Sequence, residues 1–169
     1  MLFPVVMVWG QNNNGNLGET LTLSGQLRES VSNRDVSTFN RGGSGSIADG
    51  QFNFTIGTPT NLDDIADAFR SVLWQSADTI FSDPAVRAYA LYLSIGSGAS
   101  IVRATPDFTT SVFYFYVDRD VTIRRGRVQG VNAFNLPLKK GWNAILRIDF
   151  TTYSLEDRVD LSWSISQDM

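Results

Sequence analysis

Short segments in which apolar and polar residues alternate recur along the chain, and they restrict its fold more than any other feature. Apolar side chains recur at every second position in residues 20–27 and 159–165, which is the period of a half-buried strand. Residues 109–117 carry the strongest strand signal, and turn pairs such as Asp49-Gly50 separate the segments. The pattern predicts about 8–10 antiparallel strands in a Greek-key or jelly-roll β-sandwich, with a closed barrel as the alternative.

One segment, at residues 61–74, has the period of a helix instead. Its apolar side chains recur at helical spacing from Leu62 to Leu73. Thr60 or Asn61 can cap its first turn. We therefore expect one short helix that lies over a sheet edge or over the end of a barrel.

The composition excludes several classes of site. The sequence contains no Cys and no His, so thiol nucleophiles, Cys/His zinc sites and imidazole proton shuttles cannot be built from it. With 14 basic and 17 acidic residues the formal net charge is −3, which is atypical of a nucleic-acid-binding protein. No nucleophile-elbow, P-loop or dinucleotide motif stands in a strand–helix context, and no spacing selects one carboxylate pair. We predict a protein that is not an enzyme.

The chain divides at residue 18. Residues 2–9 are apolar but far too short to span a bilayer, so no transmembrane span is expected. They are interpreted either as a first β-strand, with Pro4 near its start, or as the remnant of a secretory signal. A polar, Asn-rich linker follows. Residues 1–18 are thus predicted to be an appendage, and residues 19–169 a single β-sandwich domain.

Aromatic side chains provide the first candidate binding site. Alternation places Tyr114 and Tyr116 on one face of their strand, which we predict to be the more exposed face. Together with Trp74 they are candidate platforms for a sugar chain. The alternative is that both tyrosines pack under the helix or a loop. Trp142 and Trp163 lie in apolar strand faces and are predicted to be core residues.

Acidic side chains provide the second candidate. Asp118 and Asp120 flank Arg119 directly after the strongest strand, and two carboxylates in a loop can bind Ca²⁺ when further oxygen ligands join them. The alternative is a charged turn in which Arg119 pairs with a neighbouring side chain. Apart from this calcium site, no cofactor is expected.

Four segments in a fixed order carry a resemblance to a known group of proteins. They are residues 23–27, residues 47–60, residues 116–123 and residues 136–143. Their order is similar to that in poorly characterised secreted or lipoprotein-like β-sandwich proteins from bacteria of the Deinococcus–Thermus kind. The resemblance covers about residues 20–166. It implies an exported domain of the cell envelope and carries over no catalytic residue.

The sequence therefore predicts a non-catalytic structural or binding module of the bacterial cell envelope. It would be located in the periplasm, on the outer surface or outside the cell, and its partner would be a protein or glycan at the cell surface. No nucleic-acid partner is expected, and the oligomeric state is left open. Two alternatives are a carbohydrate-binding module that uses the tyrosines and Trp74, and a calcium-stabilised adhesion domain.

Overall fold

The computed structural model describes residues 16–38, 43–72, 78–96, 99–127, 132–155 and 161–166. Within these ranges the chain forms mostly short antiparallel strands and one helix, α1 (Ile65–Val72). The strands are β1 (Asn16–Gly18), β2 (Leu21–Gln26), β3 (Arg34–Ser37), β4 (Ser44–Ala48), β5 (Gln51–Ile56), β6 (Asp63–Asp64), β7 (Thr79–Phe81), β8 (Arg87–Ala90), β9 (Leu93–Ser94), β10 (Ser100–Ala104), β11 (Thr110–Val117), β12 (Val121–Arg125), β13 (Phe134–Leu138), β14 (Gly141–Ile148), β15 (Thr152–Ser154) and β16 (Ser162–Ser166).

The main sheet curls until its two ends almost meet. Hydrogen-bonded neighbours run from β2 through β5, β4, β3 and β9 to β10, and β16 pairs with the opposite edge of β10. Leu27, directly after β2, forms a parallel bridge to Trp163 of β16. The backbone N–H of Arg28 also donates to the carbonyl of Trp163 at 3.0 Å. The prediction of a mainly antiparallel β protein with one short helix is confirmed, but the sheet is nearly closed and barrel-like rather than a clear sandwich. The predicted number of about 8–10 strands is too low, because the described residues form sixteen, several of them only two or three residues long.

Strands β11 and β14 lie at the centre of the molecule and are covered on both faces. They pair over eight positions, from Thr110 opposite Ile148 to Val117 opposite Gly141. One face packs into the larger hydrophobic cluster, together with Trp142 and Trp163 as predicted. The other face packs into a second cluster with α1 and the small sheet of β13, β12 and β7.

The helix holds the second cluster together through one aromatic side chain. The ring centroid of Phe69 lies 6.0 Å from that of Phe81, 5.9 Å from that of Phe115 and 6.1 Å from that of Phe134. The predicted start at residue 61 is wrong, because Asp63 and Asp64 form β6 and pair with β8 before α1 begins. Sheet pairing of these two residues overrides their preference for a first helical turn.

The first described residues of the chain form a strand. Residues 16–18, assigned to the linker, form β1, and Asn16 lies opposite Asn143 of β14. Residues 1–15, with the apolar segment 2–9, lie outside the described residues. No helix in the described ranges is long and apolar enough to cross a membrane.

Candidate functional site

The two candidate tyrosines are core residues, so the predicted exposed face is wrong. Tyr114 is 5% exposed and Tyr116 is 2% exposed. Tyr114 stacks on Trp163 with 6.2 Å between ring centroids, and Tyr116 meets Trp142 edge-on at 5.5 Å. The alternative that both tyrosines are packed is observed in part: they are buried, but in the larger cluster on the face of β11 opposite α1, because β11 is a central strand with both faces covered. Neither ring is placed to form a platform for a sugar, and Trp74 lies outside the described residues.

The two candidate calcium ligands each hold a cation of the protein. The side chain of Arg119 donates to both oxygens of Asp118 at 3.2 and 3.1 Å. Lys139 Nζ donates to Asp120 Oδ2 at 2.7 Å, and this bond is the main cause that lowers the pKa of Asp120. This arrangement matches the charged-turn alternative. The described part of the chain contains no group of three or more acidic side chains that could hold a metal ion.

A different feature, which we call the Arg147 pocket, lies where the chain passes from β8 to β9. β8 pairs with β11 whereas β9 pairs with β10, and β10 pairs directly with β11 at Arg103–Val112 and Ala104–Ser111. A cavity of about 150 Å³ lies beside this junction. The Arg147 pocket is defined by six residues at this cavity: Tyr92, Phe108, Ser111, Phe113, Arg147 and Phe150. The lining also includes Leu91, Leu93, Ile101 and Val112, which belong to the larger hydrophobic cluster on the opposite face of β11 from Ser111.

The guanidinium of Arg147 lies over two aromatic rings. Its central carbon lies 4.7 Å from the ring centroid of Phe113 and 4.8 Å from that of Phe150. Nε of Arg147 is buried and has no hydrogen-bond partner among the described residues. Burial lowers the pKa of Arg147, and neighbouring tyrosines act in the opposite direction. An arginine remains charged throughout the physiological range, so the pocket contains a cation whose Nε–H lacks an acceptor.

Ser111 adds a second polar group without a partner. It lies directly opposite Arg147 in the β11–β14 register, so both side chains project from the same face. Ser111 is 6% exposed, and its hydroxyl has no hydrogen-bond partner in the described ranges. Buried polar groups are nearly always hydrogen-bonded in native proteins. Two adjacent groups of this kind beside one cavity make this position a candidate site for a hydrogen-bond acceptor.

Backbone strain is concentrated at the same cavity. Phe108 and Phe150 both have a φ of +58°, a left-handed conformation that is unfavourable for bulky side chains. Asp149 and Phe150 form the tight turn between β14 and β15, where Asn-Gly or Asp-Gly is the favoured sequence. Such strain costs about 1–3 kcal/mol per residue and tends to be found at functional sites. Here the strained backbone positions the rings of Phe108 and Phe150 at the pocket.

Sequence reasoning missed this site for identifiable reasons. Arg147 lies between Leu146 and Ile148 in the alternating segment of β14, where a charged residue indicates only a solvent-facing position. The available signal is the Asp149-Phe150 pair, because a bulky residue directly after an aspartate in a hairpin turn is unusual.

Comparisons of the chain with protein-family models, with curated proteins and with solved structures found no match. The resemblance to secreted β-sandwich proteins therefore stays a prediction. The Arg147 pocket is characterised by its own geometry.

Proposed function

We propose that the protein is a non-catalytic binding module that holds a small hydrogen-bond-accepting ligand in the Arg147 pocket. The observation that carries the proposal is the Arg147 guanidinium, which lies over two phenyl rings with a buried Nε that has no acceptor among the described residues. The pocket residues that the structure describes include no carboxylate. A cation for which the described residues supply no counter-ion favours an anionic ligand.

Binding rather than catalysis is the function that this chemistry supports. Acid–base catalysis needs a group whose pKa lies near the working pH, and arginine and serine side chains are far from that range. The rings of Phe113 and Phe150 restrict the guanidinium before any ligand arrives. A restrained donor loses less conformational entropy when the ligand binds, which raises affinity without any chemical step.

We extend the proposal to an exported or cell-envelope location in a bacterium, on the strength of the four-segment resemblance alone. Fractionation of the native host with an antibody to the protein tests this part separately. Recovery from the periplasm, the cell surface or the medium is the expected result, and recovery with cytosolic markers would contradict it.

Thermal unfolding against a panel of small ligands tests the binding function. The panel contains carboxylates, inorganic phosphate, neutral amides and soluble oligosaccharides. A ligand bound only to the native state raises its stability by about 2.7 kcal/mol at 100 times its Kd. We expect at least one acceptor to raise the melting temperature of the wild-type protein and to lose this effect in Arg147→Gln.

A matched variant controls for the loss of one positive charge. Arg124 is an exposed arginine on β12 that does not line the pocket. The response to ligand should therefore survive in Arg124→Gln. A panel in which no acceptor acts through Arg147 would overturn the proposed function, and a response to oligosaccharides that both variants retain would favour the carbohydrate-binding alternative.

A further inference from the structure

We propose that the ligand of the Arg147 pocket is a small monocarboxylate whose body is a single ring, of which benzoate is the simplest example. This inference rests on the proposed function and adds the chemical class of the ligand. In this arrangement the carboxylate lies against Arg147 and Ser111, and the ring lies against the aromatic side chains that line the cavity on the same face of the sheet.

The polar end of the ligand follows from the shape of the guanidinium. Rings cover Arg147 on the Phe113 and Phe150 sides, which leaves the planar edge, with its N–H groups, as the surface for hydrogen bonds. A carboxylate matches such an edge with two parallel bonds. The Ser111 hydroxyl, on the same face and without a partner among the described residues, can donate a third.

The charge of the ligand follows from the number of available cations. Arg103 also lines the cavity but is already engaged in another interaction. Arg147 is thus the cation for which the described residues supply no hydrogen-bonding or ion-pair partner. One guanidinium neutralises one carboxylate, whereas a phosphate dianion would leave a second charge in contact with apolar walls.

The body of the ligand follows from the size and lining of the cavity. A cavity of about 150 Å³ lined by apolar side chains is large enough for one benzene-sized ring. Tyr92 and Phe113, which pack against the second cluster, line it on the face of Arg147, so a ring is favoured over a polar body of the same size. Acetate would bond to Arg147 but leave the apolar part of the cavity unfilled.

Isothermal titration calorimetry at pH 7 compares four probes: benzoate, acetate, benzyl alcohol and inorganic phosphate. Acetate lacks the ring, benzyl alcohol lacks the charge, and phosphate lacks the apolar body. We expect benzoate to bind about tenfold or more tightly than each of the others, because it alone satisfies both parts of the pocket. Arg147→Gln should lose about tenfold in benzoate affinity or more, whereas Arg124→Gln should retain the wild-type value.

Ser111→Ala provides a second variant in case Arg147→Gln does not fold, since it removes one hydroxyl and leaves the guanidinium in place. It should weaken the binding of benzoate severalfold and leave the weak binding of benzyl alcohol unchanged.

Acetate or phosphate binding as tightly as benzoate, through Arg147, would overturn the ring monocarboxylate and leave the proposed binding function standing. Binding of benzoate that neither variant weakens would overturn the assignment to this pocket. No binding of any probe, together with no response in the wider panel, would overturn both proposals.

Discussion

The hydroxyl of Tyr116 donates a hydrogen bond of 2.9 Å to Oε2 of Glu19, which joins the central strand β11 to the segment between β1 and β2. Thr58 donates to the same oxygen at 3.2 Å, and Lys140 Nζ lies 3.2 Å from the other oxygen. The bond from Tyr116 is the largest cause that lowers the pKa of Glu19, and Lys140 is the second. Burial of the Tyr116 ring in turn raises the pKa of its hydroxyl.

These contacts of the Glu19 carboxylate predict a loss of stability at low pH. The pKa of Glu19 is lower in the folded protein than in the unfolded chain. The contribution of the ionised Glu19 to the stability of the fold is therefore complete above the ordinary pKa of a glutamate, about 4.3. It is lost as the pH falls through the lower pKa that Glu19 has in the folded protein. We expect the melting temperature of wild type to exceed that of Glu19→Gln at pH 7, and the difference to shrink as the pH falls below 4.3.

The difference in melting temperature between wild type and Glu19→Gln reports on Glu19 alone. Asp107 and Asp120 also have lowered pKa values, but they affect both proteins equally. Tyr116→Phe serves as the companion variant. This variant keeps the buried ring but removes the hydrogen bond that lowers the pKa of Glu19 most. The difference in melting temperature between wild type and Tyr116→Phe should therefore depend on pH less than the difference between wild type and Glu19→Gln. A difference between wild type and Glu19→Gln that stays constant from pH 7 to pH 3 would contradict the assignment.

Local sequence pattern predicted strands well and predicted their coverage poorly. The alternation from Val112 to Val117 correctly separates two faces of β11. It carries no information on which elements will lie over each face, because the residues of β2 and β5 that share a cluster with Tyr114 and Tyr116 are distant in sequence. The pattern therefore assigns Tyr114 and Tyr116 to solvent, whereas it correctly assigns Trp142 and Trp163, surrounded by apolar neighbours in sequence, to the core.

The candidate site depends on relationships that one sequence does not display. Arg147 and Ser111 are 36 positions apart and become neighbours through the β11–β14 register. The cavity beside them lies where β8 and β9 pair with different strands. Neither the register nor the change of partner has a local signature. Asp118 and Asp120 show the converse, since their charged-turn alternative could be stated from the sequence alone.

Strand β2 contains a glycine whose replacement should destabilise the core. A Cβ atom at Gly25 would lie 2.4 Å from Cδ1 of Trp163. This tryptophan cannot shift easily, because Phe52 packs on it at 4.6 Å and Tyr114 stacks on its ring. Gly25→Ala should therefore lower the free energy of unfolding by about 1–3 kcal/mol, the usual range for overpacking. Urea unfolding monitored by tryptophan fluorescence measures this change.

A second glycine provides the control for that experiment. Gly57 also lacks a side chain, but a Cβ atom placed there would have no heavy atom within 4 Å, and its φ is not left-handed. Gly57→Ala should leave the free energy of unfolding unchanged or raise it by about 0.4–1 kcal/mol, because alanine restricts the unfolded chain. Equal losses in the two variants would show that contact with Trp163 is not the cause.

The charged turn predicts that calcium has no effect on stability. Asp118 and Asp120 already accept hydrogen bonds from Arg119 and Lys139. A calcium ion would have to displace both cations and find further oxygen ligands. We expect the same melting temperature in millimolar Ca²⁺ and in EDTA. A rise in Ca²⁺ that is absent from Asp120→Asn would instead support the calcium-stabilised adhesion domain.

The strained turn at Phe150 predicts that binding and stability oppose each other. Phe150 has a left-handed φ, and its ring is 55% exposed while it covers one side of the Arg147 guanidinium. Phe150→Gly removes the steric strain and creates an Asp-Gly turn, which is favoured between these strands. Relief of about 1–3 kcal/mol of strain should exceed the loss of a cation–π contact worth about 0.5–1 kcal/mol. The melting temperature should therefore rise, while affinity for benzoate should fall.

Phe150→Leu separates the backbone from the ring, because leucine keeps the unfavourable φ but cannot contact the guanidinium through a π face. It should bind benzoate as weakly as Phe150→Gly without any gain in melting temperature. Together the two variants distinguish a ring retained for ligand binding from one retained for folding. If Phe150→Gly were less stable than wild type, the ring would contribute more to folding than its strain removes. The positive φ of Phe150 would then cease to be evidence for a binding site.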